Sequence, residues 1–180
     1  HSLITTVTES YEDYEPTKAA RAIEEFVDLH LSNWYVRLSR RRFWRSEMNQ
    51  DKKAAYDTLF ECLLVTTQLM SPIAPFFTDW LYRNLTKAFQ NITAKPTHSF
   101  WSSSVHLTHF PKTQKELIDE NLEHRMDYAQ RISSMVLALR KKVNIRVRQP
   151  LQKVLIPVSG LSMQQAVEQA AVQLAVLRAA

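Results

Sequence analysis

A single glycine, Gly160, among 180 residues is the feature that most limits what this chain can fold into. An average chain of this length carries roughly a dozen glycines, at about 7%. Gly-rich phosphate loops, dinucleotide-binding fingerprints and hairpin-rich β folds need glycine where φ is positive or where the backbone closely approaches a ligand. One glycine cannot build any of these, so the sequence contains no recognisable nucleotide-binding loop.

Apolar residues recur every three or four positions along most of the chain, which predicts an all-α helical bundle. The predicted helices cover about residues 3–14, 16–44, 51–70, 75–89, 112–143 and, weakly, 163–177. Pro16 and Pro75 suit the first turn of a helix, and Asp51 is predicted to be an N-cap. Pro150 and the alternation at 154–158 predict an extended segment with a short strand. We therefore expect a bundle domain at 1–145 and a mixed C-terminal appendage at 146–180.

Residues 90–112 match no regular pattern and form a long predicted loop. Loops of this length in compact domains are usually functional or packed by their own side chains. Phe100, Trp101 and Phe110 are the aromatic residues that would pack this one.

Several classes of site and location are disfavoured by the residues. Cys62 is the only cysteine, which excludes an internal disulfide, fits a reducing compartment and predicts a buried small side chain. His106 and His109 have the HxxH spacing, but no carboxylate or cysteine follows to complete a metal site.

Residues 62–78 lack charge but contain two prolines and several polar residues, so they do not predict a membrane span. Residues 1–9 lack the apolar run of a secretory signal, and the start at His1 suggests part of a longer protein.

The net charge of +5 conceals strong segregation along the chain. Residues 9–28 hold seven acids and two bases, whereas residues 37–53 hold seven bases and two acids. Residues 128–167 hold seven bases and no acid. If the bundle places the two basic blocks side by side, they form one stripe of the kind that contacts a phosphate backbone.

Aromatic residues lie among the arginines of the first block, notably Trp34 and Trp44. Exposed rings and guanidinium planes are suited to stacking on unpaired RNA bases. Trp34 also fits the buried helical stripe, and adjacent arginines point about 100° apart around a helix, so 40–42 cannot all face one ligand. From the residues alone, the basic blocks could bind a nucleic acid, bind an acidic protein partner or form a solvated face. The residues expected to touch RNA are Arg37, Arg40, Arg41, Trp44, Arg45, Arg140, Lys142, Arg146 and Arg148.

Specific words in the sequence resemble the isoleucyl-tRNA synthetase family, in its anticodon-binding domain. The most specific are YEPTKAARAI at 14–23 and LSNWYVRLSRRRFW at 31–44. SPIAPF at 71–76, SVHL at 104–107, RQPL at 148–151 and VLIP at 154–157 follow in the family's order. The valyl and leucyl enzymes share the bundle and a similar turn at 71–76 but differ around 40–44.

This resemblance implies a class Ia synthetase whose catalytic chemistry lies elsewhere. The parent enzyme would use ATP and Mg²⁺ to join isoleucine to its tRNA, while this chain would hold the anticodon stem and loop without a cofactor or catalytic residue of its own. We expect a cytoplasmic monomer with tRNA as its partner and no membrane contact. The alternatives are the same domain of a valyl or leucyl enzyme, or a helical module that binds another protein.

We expect the purified chain to show no isoleucine-dependent ATP–pyrophosphate exchange, because the sequence lacks the phosphate-binding motifs that this reaction needs. The measurement is incorporation of labelled pyrophosphate into ATP with isoleucine present. Exchange above the background without isoleucine would contradict the prediction.

Overall fold

The computed structural model describes residues 1–44, 47–92, 102–157, 164–165 and 167–169. All regular elements in these ranges are helices, which confirms the predicted all-α fold. The chain divides into two compact units, His1–Ile118 and Asp119–Ala180. The domain boundary that the sequence suggests after residue 145 stays a prediction.

Over the residues that the structure describes, the first unit contains five α-helices, a π-helical segment and two 3₁₀ turns, and the second contains one long α-helix. In chain order they are α1 (Ser2–Glu12), α2 (Pro16–Glu25), the π-helical segment (Phe26–Val36), α3 (Arg40–Trp44), α4 (Gln50–Met70), α5 (Pro75–Ile92), the 3₁₀ turns Val105–Leu107 and Lys115–Leu117, and α6 (Glu120–Lys142).

A tight turn joins α1 to α2. Tyr14 has a φ of 58°, and its N–H donates to the Tyr11 carbonyl oxygen at 3.1 Å. The N–H of Glu15 donates to the Ser10 carbonyl oxygen at 2.8 Å, which completes a Schellman motif. Pro16 then occupies the first turn of α2, as predicted, so the chain reverses within three residues.

The core of the first unit forms where α1 and α2 pack on the end of α4. Ile4 and Val7 of α1, Ala19 and Ile23 of α2, and Leu69 of α4 are all buried in one cluster. The hydroxyl of Tyr11 donates to the Leu69 carbonyl oxygen at 2.9 Å, and burial raises the pKa of this tyrosine. This hydrogen bond joins α1 to α4 at the edge of the cluster.

The sequence predicts one helix with a continuous apolar stripe from residue 16 to residue 44. In the structure the α-helix instead ends at Glu25. From Phe26 to Val36 the backbone is π-helical, with Leu31 the buried residue of that segment. A π-helix closes hydrogen bonds from i to i+5 and therefore rotates successive side chains differently from an α-helix. In agreement with this change of rotation, His30 and Leu38, which lie on the predicted apolar stripe, are exposed, whereas Leu31, which lies off it, is buried.

Asn49, rather than the predicted Asp51, is the N-cap of α4. Its side-chain oxygen accepts a hydrogen bond from the Lys52 N–H at 2.8 Å. Both residue types cap helices well, so spacing alone does not separate them. The carboxylate of Asp51 is instead used in a contact with α3, described below.

The described part of the long loop, 102–112, is held against α5 and α1. The Asp79 carboxylate accepts from the Ser104 hydroxyl at 2.5 Å and the Val105 N–H at 3.2 Å. Phe110 packs edge-to-face on Tyr11, with ring centroids 6.0 Å apart. Phe110 thus has the predicted packing role, whereas Phe100 and Trp101 lie outside the described residues.

The second unit is built on α6, which begins at Glu120 rather than near residue 112. Asp119 has an extended backbone and accepts from the Leu122 N–H at 3.0 Å, so it caps the helix and defines its start. No strand forms at 154–157, the described part of the predicted strand, because no described segment pairs with it. The weak predicted helix is helical at 164–165 and 167–169, and its remaining residues lie outside the described ranges.

We expect Asp79→Asn to reduce the loss of stability of the chain in acid. The hydrogen bond from Ser104, followed by those from Val105 and Arg83, lowers the pKa of the Asp79 carboxyl. A lowered folded-state pKa stabilises the fold above the ordinary carboxyl pKa of about 3.9, and that contribution is lost as pH falls through the folded-state value. Urea unfolding between pH 6 and pH 3 should therefore show a shallower decline for the variant. Equal declines in the two proteins would contradict this.

Candidate nucleic-acid interface

The first basic block begins where the π-helical segment ends. Arg37 follows Val36 directly and is exposed. The N–H of Ser39 donates to the Tyr35 carbonyl oxygen at 2.9 Å, and the Phe43 N–H donates to the Ser39 carbonyl oxygen at 3.2 Å. These bonds connect the segment to α3 with a nearly continuous helical backbone. Because π-helical turns are frequent at functional sites, the position of the block directly after one is consistent with a binding role.

An aromatic cluster holds α3 beside α4. The ring of Phe43 lies edge-on to Tyr35, at a centroid distance of 6.3 Å, and to Tyr56, at 5.1 Å. The Tyr35 hydroxyl donates to the Ala55 carbonyl oxygen at 3.0 Å, which joins the π-helical segment to α4. Tyr35 and Phe43 therefore support the block from inside and are not presented to a ligand.

Arg42 forms an ion pair with Asp51. Its Nε is 2.9 Å from Oδ2 and its Nη2 is 2.8 Å from Oδ1 of the carboxylate, a bidentate arrangement. The same Nη2 donates to the Asp51 carbonyl oxygen at 3.1 Å. The hydrogen bond to Asp51 raises the pKa of Arg42 further. Arg42 therefore joins α3 to the start of α4.

Arg40 and Trp44 form a cation–π pair on the outer side of α3. The guanidinium carbon of Arg40 lies 5.2 Å from the centroid of the Trp44 ring, and the side chain of Trp44 is 76% exposed. Trp44 therefore lies on the surface and is not part of the core. An exposed indole already oriented by a guanidinium is a surface on which a base can stack.

The other residues of the first block differ in exposure. Arg41 is exposed and lies between Arg40 and Arg42 on α3. Arg45 lies outside the described residues. Trp34 is half-buried, and its indole N–H is buried without an acceptor among the described residues, which agrees with the structural role expected for it.

The second basic block lies at the end of α6. Asn144 has a φ of 55°, the Ile145 N–H donates to the Arg140 carbonyl oxygen at 2.9 Å, and the helix ends in a Schellman motif. The Gln149 N–H donates to the Arg146 carbonyl oxygen at 3.0 Å, so residues 146–149 form a tight turn. Arg148 lies within this turn and not in the extended stretch that Pro150 suggests, because the residue directly before the proline is Gln149.

Arg140 organises this turn from inside. Its Nη1 is 2.7 Å from the Arg146 carbonyl oxygen and 2.9 Å from that of Gln149. Lys142, Arg146 and Arg148 are exposed, whereas Arg140 is half-buried. A direct contact of Arg140 with RNA stays a prediction, and so does the convergence of the two basic blocks.

The described residues offer little for catalysis or metal binding. No cluster of three or more His, Cys, Asp or Glu side chains suited to a metal occurs among them. His106 Nε2 lies 3.2 Å from the Pro75 carbonyl oxygen, which gives this histidine a partner within the fold. Cys62 is half-buried, and burial raises the pKa of its thiol. Over the described helices, none has the length and apolar character needed to cross a membrane.

The comparison with known families agrees with the basic and aromatic surface of α3. The family described as the anticodon-binding domain of tRNA ligase matches residues 1–155. This chain belongs to that family.

The relatives of this anticodon-binding domain include several isoleucine–tRNA ligases. That of Bacteroides thetaiotaomicron is 53% identical over 161 residues, which cover 88% of this chain and 13% of the relative. That of Porphyromonas gingivalis is 50% identical over 157 residues, which cover 87% and 13%. That of Dehalococcoides mccartyi strain CBDB1 is 41% identical over 160 residues, which cover 89% and 15%. The resemblance found in the sequence is thus confirmed, and the chain spans about 13% of the length of the first two relatives.

Sequence reasoning missed the supporting residues of this anticodon-binding domain. The sequence predicts Asp51 only as a cap and gives no indication for Tyr56, although both contact α3 directly. Nothing in their spacing indicates these contacts, because they join two helices that are separated by the non-helical residues 47–49.

We expect Trp44→Ala to lower the free energy of unfolding by no more than about 1 kcal/mol, the value of an exposed cation–π contact. Trp34→Ala, which removes a half-buried ring, should cost at least about 2 kcal/mol. Urea denaturation followed by far-UV circular dichroism compares the two variants. The opposite ranking would mean that Trp44 is part of the core.

Proposed function

We propose that this chain binds the anticodon stem and loop of isoleucine tRNA, as one part of a cytoplasmic isoleucine–tRNA ligase. The observation that carries the proposal is the exposed Arg40–Trp44 pair within a basic segment of a chain from this family. The names of the relatives support isoleucine as the amino acid. The chain itself acts as a monomer and binds tRNA without a cofactor.

The two kinds of side chain in the segment have separate tasks. Arg37 and Arg41, which are exposed, contact phosphates and so contribute affinity and register without base information. Trp44 stacks on a base of the loop, a contact worth on the order of 1–3 kcal/mol, and thereby contributes to the choice of tRNA. Arg146 and Arg148, presented on the turn at 146–149, supply further phosphate or base-edge contacts.

The longer protein would supply the chemistry that this chain lacks. Activation of isoleucine with ATP and Mg²⁺, followed by transfer to the tRNA, belongs to a catalytic domain outside these residues. The role of this chain in the reaction is to hold the tRNA in register for that domain.

The proposal is tested by binding of the purified chain to isoleucine tRNA and to the same tRNA with a swapped anticodon. Tighter binding to the natural anticodon is expected. About five phosphate contacts predict that the logarithm of the binding constant falls with the logarithm of salt concentration with a slope near −4. Equal affinity for both tRNAs, or tighter binding to polyglutamate than to either RNA, would overturn the proposal.

We expect Arg41→Glu to weaken binding to both tRNAs and to make the salt slope shallower by about 0.7–0.9, the contribution of one phosphate contact. The matched control is Arg21→Glu, which makes the same charge change on an exposed residue of α2. The two variants are compared by filter binding over a series of salt concentrations. If both weaken binding equally, the effect is one of net charge alone, and a phosphate contact of Arg41 is contradicted.

A further inference from the structure

The five-residue helix α3 depends on its neighbours for its conformation. Isolated helices shorter than about 12 residues are marginal in water, because nucleation is costly. None of the residues of α3 is fully buried, so no core contact anchors it. It is held instead by the ring of Phe43 between Tyr35 and Tyr56 and by the ion pair from Arg42 to Asp51.

The ion pair has a geometry that few other residue pairs reproduce. Arg42 presents two nitrogens to the two carboxylate oxygens of Asp51 and a further bond to its carbonyl oxygen. A planar guanidinium matches a carboxylate in this bidentate way, whereas the ammonium of lysine binds as a point charge. The pair therefore defines both the distance and the rotation of α3 relative to the start of α4.

Asp51 lies in the first turn of α4, where a carboxylate is favoured by the helix dipole whether or not Arg42 is present. The N-cap of α4 is Asn49, which does not take part in the ion pair. Breaking the pair should consequently leave α4 formed and release α3 selectively.

The stacking surface lies on the same short helix. Arg40 and Trp44 are four residues apart, a spacing at which the guanidinium and the indole ring lie side by side while residues 40–44 are helical. Arg42 lies between them in sequence, and its side chain is directed to Asp51 on α4. The rotation of α3 that brings Arg42 to Asp51 is the rotation that leaves Trp44 exposed.

We propose that the Arg42–Asp51 ion pair is a positioning element for base recognition, which holds α3 so that the Arg40–Trp44 pair is presented to the anticodon loop. This inference rests on the proposed function of the chain. Arg42 and Asp51 act through Trp44 and do not themselves touch the RNA.

The two partners carry opposite charges, which allows a sharp test. If Arg42 merely attracted phosphates, Arg42→Gln would weaken binding while Asp51→Asn, which removes a negative charge, would strengthen it. Positioning predicts instead that both variants lose preference for isoleucine tRNA over the swapped-anticodon tRNA, by about five-fold or more, the lower range of what stacking of one base supplies. The double variant should lose no more than either single one.

Matched variants separate positioning from charge and from unfolding. Asp57→Asn makes the same charge change at an exposed site on α4 and should keep the preference. Arg42→Lys keeps the positive charge but cannot make the bidentate contact. It should lose most of the preference for isoleucine tRNA while retaining the salt slope of binding. Thermal unfolding of each variant by circular dichroism identifies the folded proteins, and Asp51→Ser, which also removes the carboxylate, replaces Asp51→Asn if the latter does not fold.

The outcomes distinguish the two proposals. If the parent chain shows no preference between the tRNAs, the proposed function fails. If the parent chain discriminates and Asp51→Asn or its replacement binds with unchanged or increased preference, the positioning role is overturned. Losses that add fully in the double variant would also overturn it, because independent effects are not those of a pair.

Discussion

The first unit depends on the packing of α1 and α2 against the end of α4. Ile4, Val7, Ala19 and Ile23 close around Leu69, and burial of each larger aliphatic side chain contributes about 1.5–3 kcal/mol. The Tyr11 hydroxyl on the Leu69 carbonyl adds direction to this otherwise non-directional contact. The last turns of α4 are thus anchored in the core.

The other end of α4 does different work. Among the buried residues of this helix, Ala55 lies near its start, whereas Thr66, Thr67 and Leu69 lie near its end. The first turns therefore have lateral surface available for α3, which they hold through Asp51 and Tyr56. The single helix α4 in this way connects the core to the candidate RNA-binding surface, so that packing at one end of α4 supports the surface at the other.

Three consecutive arginines have three different surroundings in this arrangement. Arg40 lies over the Trp44 ring, Arg41 is exposed, and Arg42 is paired with Asp51. The helical rotation of about 100° per residue requires this separation. A run of like charges, which in composition looks uniform, consequently combines a cation–π partner of Trp44, an exposed side chain and a structural ion pair.

The sequence by itself determined the all-α class, because the near absence of glycine and the apolar periodicity are properties of the chain alone. It also determined the starts of α2 at Pro16 and of α5 at Pro75. The motifs at 14–23 and 31–44 determined the family. The sequence also selected Trp44 as a candidate. It did not determine where the π-helical segment replaces the α-helix, whether Asn49 or Asp51 caps α4, or that Trp44 is exposed while Phe43 is covered. These outcomes depend on contacts between helices that are distant along the chain, such as Phe43 with Tyr56 and Arg42 with Asp51. Periodicity shows which face of a helix is apolar, but only tertiary packing decides which neighbour covers that face and which side chain remains in water.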